Sequence, residues 1–417
     1  MTQHRNYAQL RPPRRASRSE LLRFHEAHFI DAMIGLDPET SELQPDSDES
    51  AASSDSEPTL DKFRLMASST RPRKRRRRSA DPMGLEDDCP MFDELSEYVQ
   101  LVAGASIEAA DLLRKEEADI VINWHGGRHH ARRGQASGFC YVQDIVLAIL
   151  KLRDPLPGTS RAGTVKVEET GSVSESGRDE RDNDSSSKTT HLRRITKVMY
   201  IDLDLHHGDG VEEAFLSTAS VLTLSVHNHA PGFFPSTGSL FARERQQKAR
   251  PADHHALSVP LKPGASSATL LRVLDSCIEP VYRAYKPNAV VLQCGCDGLA
   301  GDPCQEWNVD LEGFGQIVQR ILSWGAKTLM LGGGGYNHVN VAKCWTYLTS
   351  IALGRPLNLE DSIPSSLDEH DYHAFVRQSP TLDVVASQKS DQNTDEFLGM
   401  IEKAFAESIE ALQQRYT

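Results

Sequence analysis

Four short apolar runs leave this chain few architectures to fold into. They are Lys197–Leu205, Val221–Val226, Ala289–Gln293 and Lys327–Leu331. Helical patterns at Ala268–Tyr285 and Leu311–Trp324 lie between the later runs. A strand buried on both faces reads as a short apolar run, and strands alternating with helices build βαβ units. The expected class is therefore α/β, a mainly parallel sheet flanked by helices on both faces. In such sheets the ligand site lies beyond the carboxyl ends of the strands. Polar residues gather at those ends: Asp202 to His206 closes one run, Asp297 follows another, and Gly332–Tyr336 follows a third.

The 417 residues suffice for one large domain with inserts. Residues 18–36 read as one helix, with Leu21, Leu22, Phe29, Ile30 and Met33 at helical spacing. Residues 37–83 turn abruptly to Asp, Glu, Ser and Pro, the composition of a disordered insert. Near its end runs a basic stretch, Arg71–Arg78, which reads as a nuclear localisation signal. A second polar insert occupies 154–193, after a helix at Tyr141–Leu150. The globular body is thus 18–36 plus 84–380, followed by an amphipathic helix at 393–415. In that helix Phe397, Leu398, Ile401, Phe405, Ile409 and Leu412 fit core packing better than a partner-binding face.

A net charge of −13 argues against direct nucleic-acid binding and fits basic partners. No apolar run is long enough to span a membrane, and the first residues lack the apolar core of a signal peptide. The seven cysteines then read as reduced thiols of the cytosol or nucleus.

The strongest chemical signal is Tyr200–Gly210, YIDLDLHHGDG. Asp202, Asp204 and His206 alternate with Ile201, Leu203 and Leu205, which puts the polar three on one face of a strand. Two carboxylates and an imidazole converging among buried apolar neighbours are unfavourable without a cation. Paired glycines precede His129 and His130, so a tight turn presents two imidazoles. Asp297 offers another carboxylate after a strand, although alone it fits a solvated turn as well. The glycines Gly332–Gly335 suit a backbone passing close to a ligand and presenting the Tyr336 phenol. No following Lys-Ser/Thr marks them as a phosphate cradle.

Together these segments resemble the class I histone deacetylases. The resemblance rests on His129-His130, Gly138–Tyr141 (GFCY), Asp202–Asp209 (DLDLHHGD), Gly232–Gly238 (GFFPSTG), Gly332–Asn337 (GGGGYN) and Cys344–Leu348 (CWTYL). It covers about 18–36, 84–153 and 194–380. The Phe-Phe-Pro loop and the Tyr-Asn after the glycines look most like the deacetylase-8 branch and its fungal relatives.

The resemblance implies the arginase/deacetylase fold and zinc-dependent hydrolysis of N-acetyl-lysine on histones or other proteins. Asp204, His206 and Asp297 would ligate zinc. His130 would act as general base with His129 as its electrostatic partner, and Asp209 and Asp202 would orient them. Tyr336 would donate to the oxyanion. Gly138, Phe139 and Phe234 would wall the substrate tunnel, and Asp88 would hold the substrate backbone at the rim. The family's potassium sites would fall at Asp202, Asp204, His206 and Ser225, and at Phe215, Thr218 and Val221. The implied partners are acetylated histone tails and a corepressor complex in the nucleus.

Three positions depart from the family pattern: Arg128 before the histidines, Asp87 at the rim and Cys296 before Asp297. No counterpart of the family's first strand and helix precedes 18–36. From this we expect either a start internal to a longer chain or a slow, marginally stable enzyme. A binuclear manganese ureohydrolase shares the fold, but Asp-Leu-Asp-Leu-His supplies one metal's donors. Acetylpolyamine hydrolysis shares chemistry and site, and an inactive scaffold is the non-enzyme alternative.

Overall fold

A computed structural model describes residues 8–35, 81–156, 194–240, 254–363 and 380–417. The basic stretch Arg71–Arg78 and most of both expected inserts lie outside them. The centre is a six-stranded sheet of order β1-β6-β5-β2-β3-β4. Its strands are β1 (Ile120–Asn123), β2 (Val198–Asp202), β3 (Val221–Asn228), β4 (Ala256–Leu261), β5 (Ala289–Gln293) and β6 (Lys327–Leu331). Every pairing is parallel.

Alternation along each strand feeds two cores. Met199, Ile201, Val290 and Leu292 enter one core. It is covered by α6 (Ser267–Val273), α7 (Glu279–Tyr285), α8 (Leu311–Leu322), α9 (His338–Ala352) and α10 (Asp395–Tyr416). Val198, Tyr200, Ala289 and Val291 enter the other. Its cover is α2 (Ala27–Ile34), α3 (Leu95–Arg114), α4 (Asp144–Leu152) and α5 (Asp209–Phe215). Strands buried from both sides are mostly apolar, which is why the runs were visible in the sequence, and the buried polar residues of β2 and β3 gather toward their carboxyl ends.

Three expectations need correction. Residues 18–36 form two helices, α1 (Arg18–Leu21) and α2, not one. The chain between them is drawn toward the turn that carries His129 and His130. Glu26 N donates to Arg133 O at 2.9 Å, and the buried His25 ring accepts from Gln143 N at 3.0 Å. Ala268–Tyr285 is helical throughout, but a π-helical segment at Leu274–Ile278 separates α6 from α7. Pro280 has no N–H to continue the α ladder, so the pattern shifts just before it. Finally, β2 stops at Asp202. Asp204 N turns to Asp202 Oδ1 at 3.1 Å and Leu205 N to Asp297 Oδ1 at 2.9 Å. Asp204 and His206 therefore sit in a bend beyond the strand, so strand alternation is not what brings them together.

Register sets the site. Asp202 pairs with Ser225 on one side and Gln293 on the other. Gln293 pairs with Leu331, and Leu331 with Asn123. Strand ends at one level put the loops after β1, β2, β5 and β6 around a common point.

Candidate active site

The turn after β1 carries His129 and His130. It is anchored by the buried Asp144 of α4, which accepts Gly127 N at 3.0 Å and Arg128 N at 2.8 Å. Gln143 adds side-chain bonds to the carbonyls of His129 and Ala131, at 3.2 and 2.8 Å. Both imidazoles are buried, with ring centroids 3.9 Å apart.

Each has its own carboxylate. His129 Nδ1 lies 2.8 Å from Asp202 Oδ2, and Tyr200 OH donates to that same oxygen at 2.6 Å. His130 Nδ1 lies 2.8 Å from Asp209 Oδ1, at the start of α5. Arg132 holds the other oxygen of Asp209 at 2.9 Å. Burial disfavours charge on both rings, but the outcomes diverge. For His129 the Asp202 and Asp204 carboxylates outweigh burial and lift the ring to about 9. For His130 burial and the neighbouring His129 charge win over Asp209 and push it down to about 3. One imidazole is thus kept cationic and the adjacent one neutral, a separation of roles typical of acid–base sites.

Beside them Asp204, His206 and Asp297 converge. His206 Nδ1 faces both carboxylates, 2.9 Å from Asp297 Oδ2 and 3.3 Å from Asp204 Oδ1. The second oxygen of Asp204 accepts from Gln293 Nε2 and Gly334 N, each at 2.8 Å. Burial opposes charge on Asp204, but His129 and His206 hold its carboxyl well below the ordinary range. Burial and the Asp204 charge instead push Asp297 up to about 6. His206, caught between two carboxylates despite burial, rises to about 10. Two buried carboxylates competing for one proton-bearing imidazole are the electrostatics that a divalent cation relieves, so the donor set fits a zinc ion. Among the described residues, the donor group whose atoms all lie within 4.8 Å of one another is His206, Asp297 and Cys304.

The glycines after β6 pass against these carboxylates. A Cβ at Gly334 would lie 2.3 Å from Asp297 Oδ2, and one at Gly295, in the loop after β5, would lie 2.0 Å from Asp204 Oδ2. Only a bare backbone fits there. Tyr336 follows, its backbone N donating to Asp302 Oδ2 at 2.7 Å. The Phe139 ring lies 6.1 Å from the Tyr336 ring, and Phe234 lies 4.8 Å from His130, edge on. Both phenylalanines are exposed, at 56% and 39%. Gly138 has φ +52°, and a Cβ there would meet His130 at 2.6 Å and Phe234 at 2.9 Å. Asp88 is exposed on a loop tied to this wall through Tyr141 OH and Pro90 O, 2.6 Å apart.

The structure therefore gathers His129, His130, Asp202, Asp204, His206, Asp209, Asp297 and Tyr336 beneath Gly138, Phe139 and Phe234. Ser225 lies beside this group, its Oγ accepting from Gly208 N at 3.3 Å. Phe215, Thr218 and Val221 lie apart from it, in the turn from α5 to β3, where Thr218 N donates to Phe215 O at 3.1 Å. Sequence reasoning missed Asp144, Gln293, Asp302 and Cys304. Only the polar side chain of Gln293, ending the apolar run of β5, could have signalled one of them.

The family described as Histone deacetylase domain matches residues 1–161 and 183–352. The chain is 37% identical to Histone deacetylase 1 of Homo sapiens over 326 residues, 78% of this chain and 57% of that protein. It is 36% identical to Histone deacetylase 8 of Xenopus laevis over 310 residues, 74% of this chain and 80% of that protein. The matched region therefore spans little more than half the length of the Histone deacetylase 1 relative.

Proposed function

The chain belongs to the histone deacetylase family, within class I, and from that premise we propose that it hydrolyses the amide of N-acetyl-lysine, releasing acetate and the free amine. The observation that carries this is the pair of imidazole–carboxylate dyads, His129 with Asp202 and His130 with Asp209, beside a metal-competent donor set.

Asp204, His206 and Asp297 would hold zinc, which supplies a Lewis acid for the acyl oxygen and a more acidic water. His130, neutral and oriented by Asp209, takes the proton of the attacking water and later delivers it to the departing lysine nitrogen. His129, held cationic by Asp202, keeps positive charge beside that proton transfer and steadies the developing anion. The Tyr336 hydroxyl donates to the oxyanion. Burial pushes its phenol further up, so it stays a donor across the working pH range. Phe139, Phe234 and Gly138 wall a slot that fits an uncharged acyl-lysine stem, and Asp88 at its mouth accepts from the substrate backbone.

The substrates we propose are acetylated histone tails and other acetyl-lysine proteins. The setting is a nuclear corepressor complex that acts on chromatin to repress transcription. Among the described residues no helix is long and apolar enough to cross a membrane. Potassium would sit beside zinc at Asp202, Asp204, His206 and Ser225, with a second ion at Phe215, Thr218 and Val221.

The test is hydrolysis of an acetyl-lysine peptide with and without a zinc chelator. Chelation should abolish turnover and added zinc should restore it. Asp204→Asn should lose both zinc and activity. Undiminished turnover in the chelated enzyme, or full zinc and activity in Asp204→Asn, would refute the assignment.

A further inference from the structure

A thiol stands where hydrolysis needs none. The Sγ of Cys304, a nitrogen of His206 and a carboxylate oxygen of Asp297 all lie within 4.8 Å of one another. Zinc bonds of about 2.3 Å to sulfur and about 2.0 Å to nitrogen put tetrahedral donors about 3.5 Å apart. Any remaining gap is little more than an ångström, within reach of a side-chain torsion at a half-buried cysteine.

The backbone that aims this thiol is held firmly. Asp302, itself 3% exposed, accepts Cys304 N at 2.9 Å on one oxygen and Tyr336 N at 2.7 Å on the other. Asp302 N donates to Leu299 O at 3.2 Å and Gln305 N to Asp302 O at 3.0 Å, which closes the loop on itself. The same carboxylate thus fixes the backbone of both Cys304 and Tyr336.

We propose that Cys304 is a fourth protein donor to the metal, its sulfur closing the site when no substrate is bound. The proposal rests on the assignment of Asp204, His206 and Asp297 as metal ligands. On binding, the S–H bond would break, its proton would leave to solvent, and a sulfur–metal bond would form where three protein ligands leave the metal open. Three protein ligands leave a catalytic zinc open, and four close it. Substrate would then displace the sulfur, which takes a proton back from solvent as the sulfur–metal bond breaks. A soft sulfur donor also tilts the site toward zinc and cobalt over harder ions such as magnesium or manganese.

The experiment exchanges the full chain with cobalt(II) alone and records its absorption. Wild type should show visible cobalt bands together with near-ultraviolet thiolate-to-cobalt charge transfer. Cys304→Ser, which keeps the side-chain shape but replaces sulfur by oxygen, should keep the visible bands and lose the charge transfer. Cys304→Ala should bind zinc at least about tenfold more weakly in chelator competition, the lower end of what losing even an outer partner costs. Visible bands without charge transfer in wild type would overturn the proposal and leave the three-ligand site standing. Charge transfer that survives in Cys304→Ser would also overturn it. No cobalt spectrum at all would overturn the metal-site assignment itself.

Discussion

Tyr336 and Asp302 divide one task between them. The phenol is the group that would touch the reacting oxygen, while Asp302 holds its backbone through Tyr336 N at 2.7 Å and Asn337 N at 3.3 Å. Tyr336→Phe should keep zinc and lower kcat by about a hundredfold or more, the usual loss of one oxyanion donor. Asp302→Ala should also lower kcat, by a smaller factor, because it leaves the hydroxyl present but loosely aimed. Steady-state kinetics with metal analysis separates the two, and a Tyr336→Phe enzyme within a few-fold of wild type would remove the phenol from the mechanism. A second prediction concerns pH. The folded protein holds His129 at about 9 against an ordinary 6.5, which corresponds to roughly 3 kcal/mol. Because the folded value is the higher one, that stability is full below about 6.5 and is lost as pH rises through about 9. In chelator-treated protein the melting-temperature gap between wild type and Asp202→Asn should therefore narrow between pH 7 and 10. A gap independent of pH would mean the ion pair is not its source. The motif residues were legible because they cluster in short, unusual strings. Asp302, Asp144 and Cys304 were not, since an isolated Asp or Cys acquires meaning only from what the fold places opposite it.

At the scale of elements, the apolar runs of β5 and β6 coincide with the strands found, because burial from both faces favours apolar residues along most of their length. Strand β1 went unread although it delivers His129 and His130 to the site. It has four residues, all only partly buried, so it offers neither length nor a clear period. Strand β4 went unread as well. Its Ala256, Ser258 and Pro260 break the apolar pattern, and Pro is tolerated there because β4 is at the sheet edge. The carboxyl-terminal helix was legible as packing, and α10 does insert Leu398, Ile401, Phe405 and Leu412 into the core on its face of the sheet. Arg272 reaches across to it, donating to Glu402 at 2.7 Å and to Asp395 at 2.6 Å. The exposed share of those ion pairs contributes little, so the apolar face should dominate. Phe405, 2% exposed, should cost about 3–5 kcal/mol when cut to alanine. Phe405→Ala should thus melt well below wild type while binding zinc with the same stoichiometry before it unfolds. A loss of zinc at temperatures where the variant is folded would instead tie α10 to the site.

For the whole molecule, 59 acidic residues against 46 basic ones set a negative field around a slot whose proposed substrates carry lysine and arginine beside the acetylated position. Such a field accelerates encounter with cationic peptides, and salt screens it over a Debye length of about 8–10 Å. Asp88 acts differently, because it is exposed at the mouth and would meet the substrate backbone directly. Removing it changes the net charge of −13 by a single unit, so the long-range field barely moves. Turning a charge-assisted hydrogen bond into a neutral one, as an amide at this position would, costs about 1–1.5 kcal/mol, roughly five- to tenfold in kcat/KM. Two signatures should therefore separate. In wild type, kcat/KM for an acetyl-lysine peptide flanked by Lys and Arg should fall severalfold as salt rises, while a neutral-flanked peptide changes little. In Asp88→Asn both peptides should lose activity by a similar factor at every salt concentration, with the slope for the basic peptide retained. Equal salt slopes for the two peptides in wild type would show that the acidic field does not steer substrate. A collapse of the slope in Asp88→Asn would assign that steering to one carboxylate rather than to the molecule.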